Sequence, residues 1–143
     1  MKQSNHHFSF TVAVNNSSQK IWQTLINVPT WQVWDTELKQ ANLESEFALN
    51  AKGTLIPKTG PKLNFHISEY TENQSYTFKT KMPLGWLVIK RTISTENGVN
   101  YFTDDIAFTG FLKYIFGFIL GRQFKKVLPE VMNNFKKMVE ALP

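Results

Sequence analysis

The sequence predicts an α+β domain in which seven antiparallel strands pack on one long C-terminal helix. Two observations carry this. Between residues 39 and 109 short runs alternate between apolar and polar, whereas after Gly110 the apolar residues recur at helical spacing. A curved antiparallel sheet has one apolar face and an amphipathic helix has one apolar stripe, so each buries the other. At 143 residues the chain forms one domain, 1–143, large enough for its own core.

The elements follow in order. In "HFSFTVAV", Phe8, Phe10, Val12 and Val14 share a face at period two, which predicts a strand. In "NNSSQKIWQTLINV", Ser17 or Ser18 caps a helix whose apolar side is Ile21, Trp22, Leu25 and Ile26. Asn15-Asn16-Ser17 has the form of a glycosylation acceptor, but the serine reads as a cap. Pro29 ends this helix and opens a short one, "TWQVWDTEL", with Trp31 and Trp34 three apart. Six strands are expected in "ANLESEFAL", "GTLIPK", "KLNFHISEYT", "SYTFKTKM", "WLVIKRTIST" and "VNYFTDDIAF". Phe124, Val127, Leu128, Val131, Met132, Phe135, Met138, Val139 and Leu142 then trace the stripe of the final helix, with a kink expected at Pro129.

Composition narrows the function. There is no cysteine, so disulfides, thiol catalysis and Cys-ligated zinc are excluded. The start, MKQSNHHFSF, is polar and lacks the apolar core of a signal peptide, which leads us to expect a cytoplasmic protein. The net charge is +5, with Arg122, Lys125, Lys126, Lys136 and Lys137 late in the chain. These read as a solvated helix face; no nucleic-acid-binding motif accompanies them. The apolar run "FTGFLKYIFGFILG" is shorter than the roughly 20 residues of a membrane span and contains Lys113. Contact with a membrane surface stays open, as does the choice between monomer and homodimer.

"SSQKIWQTLINVPTWQVWD", with Ile21, Trp22, Leu25, Trp34 and Asp35, then Gly53 and the closing "GFLKYIFG…LPEVMNNFKKMVE", resembles the START-like superfamily, also called SRPBCC, of polyketide cyclase/dehydrase and lipid-transport proteins. The resemblance runs from about Phe8 to Glu140. It implies a helix-grip fold, a seven-stranded sheet wrapped around the C-terminal helix and usually enclosing an apolar cavity. Such relatives bind lipids, sterols, polyketides or hormones, and a minority are enzymes. No universal catalytic residue comes with it.

Turn chemistry sets the register. Asn97-Gly98 is the signature of a type I′ hairpin, so Glu96 should pair with Val99. Leu87 then faces Phe108, Ile89 faces Ile106, Arg91 faces Asp104 and Ile93 faces Phe102, which is the more apolar and therefore inner set. In "YTENQS", pairing Tyr70 with Ser75 sets Glu69 beside Tyr76, Ile67 beside Phe78 and Phe65 beside Thr80. The turn through Pro83-Leu84-Gly85 leaves either Tyr76 or Phe78 as the neighbour of Arg91; in the first register, Glu69, Tyr76, Arg91 and Asp104 form one polar row across four strands. His66 points outward, while His6 and His7 lie in a frayed terminus. Adjacent Asp104 and Asp105 point to opposite faces and cannot share a metal ion.

The leading expectation is a carrier or sensor of a small hydrophobic ligand, without catalysis, cofactor or metal. The candidate ligand-binding residues are Phe65, Ile67, Glu69, Tyr76, Phe78, Ile89, Arg91, Phe102, Asp104 and Ile106 on the sheet, with Ile115, Phe118, Phe124 and Leu128 on the helical segment above it. The polar row either anchors the ligand or lies at a solvated rim. The alternatives are a cyclase or dehydratase using Glu69 or Tyr76 with Arg91, or an interaction module using the basic helix face. Residues 108–121 are expected to roof the cavity, with Gly117 and Gly121 softening the helix as a gate.

Overall fold

The computed structural model describes residues 3–143. Strand β1 (His7–Val14) leads into helix α1 (Ser18–Ile26), a 3-10 turn (Val28–Thr30) and the four-residue helix α2 (Trp31–Trp34). Strands β2 (Leu38–Leu43), β3 (Lys52–Pro57), β4 (Leu63–Thr71), β5 (Ser75–Met82), β6 (Gly85–Glu96) and β7 (Val99–Gly110) follow. The chain ends in α3 (Lys113–Phe116), a π-helical stretch (Gly117–Gly121) and α4 (Arg122–Glu140), which run on without interruption. One seven-stranded antiparallel sheet has the order β1-β7-β6-β5-β4-β3-β2.

Local chemistry explains these boundaries. The Ser17 hydroxyl accepts from the Lys20 N–H and caps α1, as expected of the first serine. Asn97 and Gly98 both have positive φ, and the β6–β7 hairpin has the predicted register throughout, from Glu96↔Val99 to Leu87↔Phe108. Helix α4 carries through Pro129, which lies on its exposed side. Its buried residues Leu128, Val131, Met132, Phe135 and Val139 face the sheet.

Four expectations need correction. Strand β2 is Leu38–Leu43 rather than 41–49, because beyond Leu43 the charged Glu44–Glu46 stretch leaves the sheet and the chain turns at Asn50, whose φ is +70°. Phe47 from this loop folds back to 4.7 Å from the Tyr76 ring. The β4–β5 register slips near its turn. Thr71 pairs with Ser75, Asn73 takes the positive φ, and a bulge at Ser68 separates Ile67↔Phe78 from Glu69↔Thr77. A shift of one residue moves a side chain to the other face. Tyr70 thereby replaces Glu69 opposite Tyr76, and exposed Glu69 accepts a 2.8 Å hydrogen bond from the Thr77 hydroxyl.

The N-terminus is not frayed at the histidines. The His6 carbonyl accepts from the Phe108 N–H at 2.8 Å, and His7 in β1 lies 3.1 Å from the Asp105 carboxylate. Finally, Gly117 and Gly121 are close-packing positions rather than soft points. A Cβ at Gly117 would lie 2.8 Å from the His6 Cβ, and one at Gly121 would collide with the Asn5 carbonyl oxygen. Alanine at 121 must therefore push the N-terminal segment off the helix, which removes the basis for a glycine gate.

Candidate functional site

The sheet's inner face and α4 enclose an interior organised around Arg91. Arg91 and Asp104 stand opposite each other on β6 and β7 and are each 2% exposed, so the pair is buried and not at a solvated rim. Arg91 Nε donates to Asp104 Oδ1 at 3.4 Å, and Arg91 Nη1 donates to the Tyr76 hydroxyl at 3.3 Å. Both contacts are long for charge-assisted bonds. The guanidinium lies 4.6 Å from the Trp31 ring centroid, 4.8 Å from that of Trp34 and 5.0 Å from that of Phe78. Ring faces attract a desolvated cation and stand in for part of its lost hydration.

The tryptophans reach this position through α2. The 3-10 turn started by Val28-Pro29 ends in a single helical turn that points both indoles inward. Trp31 Nε1 donates to the Leu25 carbonyl at 2.8 Å, and the Tyr76 hydroxyl donates to the same oxygen at 2.7 Å. That carbonyl belongs to the last turn of α1 and has no helical partner to give up. Trp34 packs edge-on against Phe135 of α4 at 5.0 Å, while Asn134 donates to its carbonyl at 3.4 Å. Helices α1, α2 and α4 thus meet over β5 and β6.

Of the sequence candidates, Phe65, Ile67, Tyr76, Phe78, Ile89, Arg91, Phe102, Asp104, Ile106 and Leu128 are brought together, all buried. Phe124 is partly buried and stacks on Phe108, with centroids 6.4 Å apart. Glu69 is outside the row for the reason given above. Ile115 and Phe118 are also outside it, more than half exposed, because Gly117 and Gly121 turn their own side of the helix toward the N-terminal segment. His66 faces outward as expected and packs on Trp86 at 5.6 Å.

Asp35 and Thr80 were not singled out as site residues. Asp35 is partly exposed and lies close enough to feel the Arg91 charge. In the sequence it stands out only at the end of the "SSQKIWQTLINVPTWQVWD" segment, which says nothing about Arg91. Thr80 is buried on β5, and its hydroxyl has no hydrogen-bond partner; the indole N–H of Trp34 is likewise buried and unpartnered.

Burial dominates the electrostatics. It pushes the Tyr76 hydroxyl up to about 12, the nearby Arg91 charge offsetting only part of the effect, so Tyr76 remains a neutral donor. It pushes the Asp104 carboxyl up to about 6, again against a smaller opposing pull from Arg91. Burial likewise raises Asp35, which Arg91 partly counters. For Arg91, burial works against the charge, but Tyr76 and Asp104 outweigh it and hold the group protonated.

The folded-state value for Asp104 lies above its ordinary 3.8, so the folded chain binds more protons than the unfolded chain between these values. Its contribution to stability is fully present below about pH 4 and is lost as pH rises through about 6. Urea unfolding from pH 4 to pH 7 should show this loss, up to about 3 kcal/mol. Asp104→Asn should remove most of the slope; an unchanged slope in that variant would assign it to other groups.

The clefts on the outside lie elsewhere. One of about 270 Å³ is lined by His6, His7, Ala107, Phe108, Thr109, Gly110 and Lys113. A shallow groove of about 660 Å³ runs between β1 and α4, past Phe10, Val12, Pro129 and Lys136. Among the described residues, no cluster of three or more His, Asp or Glu side chains is arranged to hold a metal ion.

A START superfamily protein from Mycobacterium smegmatis superposes with a TM-score of 0.76 at 15% identity, over 96% of this chain and 99% of its own. The fold is START-like. The di-domain ARO/CYC StfQ from the steffimycin biosynthetic pathway matches with a TM-score of 0.72 at 9% identity, over 95% of this chain and 49% of its own. Ara h 8.0201 matches with a TM-score of 0.69 at 8% identity, over 96% of this chain and 99% of its own. No family model and no curated protein sequence matches the chain. The START-like architecture is therefore carried by backbone geometry, at identities too low to transfer any residue's role. In this chain the grip closes around Trp31, Trp34 and Arg91, which fill the space under the sheet.

Proposed function

We propose that this protein binds a small apolar molecule bearing one polar group, in the interior beneath the sheet, and carries or senses it without catalysis. The observation that carries this reading is the pair of unpartnered polar atoms there, Trp34 Nε1 and Thr80 Oγ1. An unmade hydrogen bond in the interior costs roughly 1–3 kcal/mol, and native interiors leave few. A ligand carbonyl or hydroxyl would satisfy either the indole or the threonine, and the Arg91 cation favours an oxygen or an anionic group. The surrounding rings of Trp31, Phe65, Phe78 and Phe102 suit an aromatic or polyene body. START-like folds that include a START superfamily protein and an aromatase/cyclase agree with such a cargo in outline.

Carriage suits the site better than turnover. Tyr76 already donates its proton to a backbone carbonyl, Asp104 is engaged by Arg91, and Glu69 lies outside. None of the three stands free in the interior as a general acid or base. Because Trp31 and Trp34 occupy the space, uptake requires the 28–34 segment and the Phe47 loop to move aside.

The anionic aromatic probe anilinonaphthalene sulfonate tests this. It should bind saturably and quench the buried tryptophans. Thr80→Val keeps the shape and removes the hydroxyl, and it should weaken binding about tenfold while leaving the fold as stable or more so. Probe binding that is untouched by Thr80→Val but abolished by Phe118→Asp would place the probe on the outer surface and contradict the proposal.

A further inference from the structure

We infer that residues 111–122 form a docking surface for an anionic lipid bilayer. Phe111, Tyr114, Ile115, Phe118 and Ile119 follow the spacing of a helix face, and they are between 53% and 84% exposed. The face they make points away from the core; Gly117 and Gly121 form the side that packs on Asn5 and His6. Leu84 extends the patch. It is 65% exposed, and its carbonyl accepts from the Phe111 N–H at 3.0 Å, which fixes the two side by side. Leu84 also holds a φ of +57°, an unfavourable conformation for leucine that no packing of its side chain repays. Five large apolar residues in one exposed helical row, with a leucine beside them, exceed the scattered exposure ordinary surfaces show.

Charge selects the occupant. From Ile106 through Pro129 the chain has no Asp or Glu, and it carries Lys113, Arg122, Lys125 and Lys126. The Lys113 ammonium lies 5.2 Å from the Tyr114 ring centroid and the Arg122 guanidinium 5.8 Å from that of Phe118, so cations rim the apolar row itself. Glu37 reaches this helix only at Gln123, at 3.5 Å. An apolar stripe edged by Lys and Arg is what a helix lying in the headgroup layer presents, with rings in the acyl boundary and cations on phosphates. A second copy of this chain would set these cations against their own images, which opposes self-association through the same face. The docking surface consists of side chains outside the interior and does not depend on the ligand proposed above.

Co-sedimentation with vesicles tests it, comparing pure phosphatidylcholine with a mixture containing phosphatidylglycerol. The protein should sediment with the mixed vesicles at least about tenfold more strongly than with the neutral ones. Added salt should release it. Phe118→Asp and the double variant Arg122→Glu/Lys126→Glu should each weaken binding about tenfold with an unchanged melting temperature, since these side chains are exposed. Thr80→Val should bind vesicles like the parent chain. Equal binding to neutral vesicles, or no binding to either, would overturn the inference. So would a dimer in analytical ultracentrifugation that Phe118→Asp dissociates, which would assign the face to a second copy.

Discussion

Arg91→Met should destabilise the protein by about 3–5 kcal/mol, the cost of leaving a buried carboxylate without its cation. Asp104 is fully enclosed on β7, and Arg91 is the cation paired with it. The Tyr76 hydroxyl loses a neighbour as well, although its bond to the Leu25 carbonyl survives. The loss should be smaller at pH 4 than at pH 7, because Asp104, raised to about 6 by burial, is already protonated at pH 4 and leaves no unpaired charge behind. The double variant Arg91→Met/Asp104→Leu should recover most of the stability or exceed the parent, since an apolar pair avoids the desolvation of two charges. Urea unfolding of the three chains at both pH values checks this. A double variant as unstable as the single one would mean that the guanidinium's contacts with Trp31, Trp34 and Phe78 matter more than its pairing. If the parent and the double variant fold equally well, retention of the pair in a START-like interior is better explained by ligand recognition than by stability.

Trp31→Ala should cost about 3–5 kcal/mol, the range for emptying a large aromatic site in a core. Trp31 is fully buried, its N–H holds the end of α1, and its ring lies against Arg91, Phe65 and Phe78. The cavity created would be apolar on most sides. Added indole should therefore refill it and raise the melting temperature, by roughly 1.4 kcal/mol of stabilisation at ten times its dissociation constant. The parent chain should gain nothing from indole at the same concentration. Equal responses of the two chains would show that indole acts elsewhere. Together these variants separate what the interior needs to stay folded from what it offers to a ligand.

The legible part of this fold was the part fixed by local rules. Asn97-Gly98 requires positive φ at both positions, so twelve pairs of the β6–β7 ladder follow from two residues, and the Arg91–Asp104 juxtaposition with them. The seven strands, the Ser17 cap and the stripe of α4 were legible for similar reasons: each is set by period or by a cap within a few residues. The β4–β5 turn was not, because "YTENQS" accommodates either a four- or a three-residue loop, and the choice rests on Asn73 adopting positive φ and on the bulge at Ser68, five residues before it. That one bulge exchanged Glu69 for Tyr70 in the inner row.

The burial of Arg91 was open for a different reason. Whether a row lies at the rim or in the interior depends on what covers it, and here the cover is the Trp31/Trp34 pair from a distant segment. Residues 108–121 posed the converse problem. Apolarity around a helical turn suggested cover on several sides, yet hydropathy does not say which side is turned outward. The exposed row was fixed instead by two glycines accepting the N-terminal segment. The row expected to roof the interior therefore faces outward.

The most direct test of ligand carriage is native mass spectrometry of the protein as purified, followed by extraction and identification of whatever it retains. The expected result is a stoichiometric adduct of one small molecule that combines an apolar body with a carbonyl, hydroxyl or carboxyl group. It should persist in Phe118→Asp and be depleted in Thr80→Val. A spectrum containing only the bare chain, together with no saturable binding of anilinonaphthalene sulfonate, would contradict it.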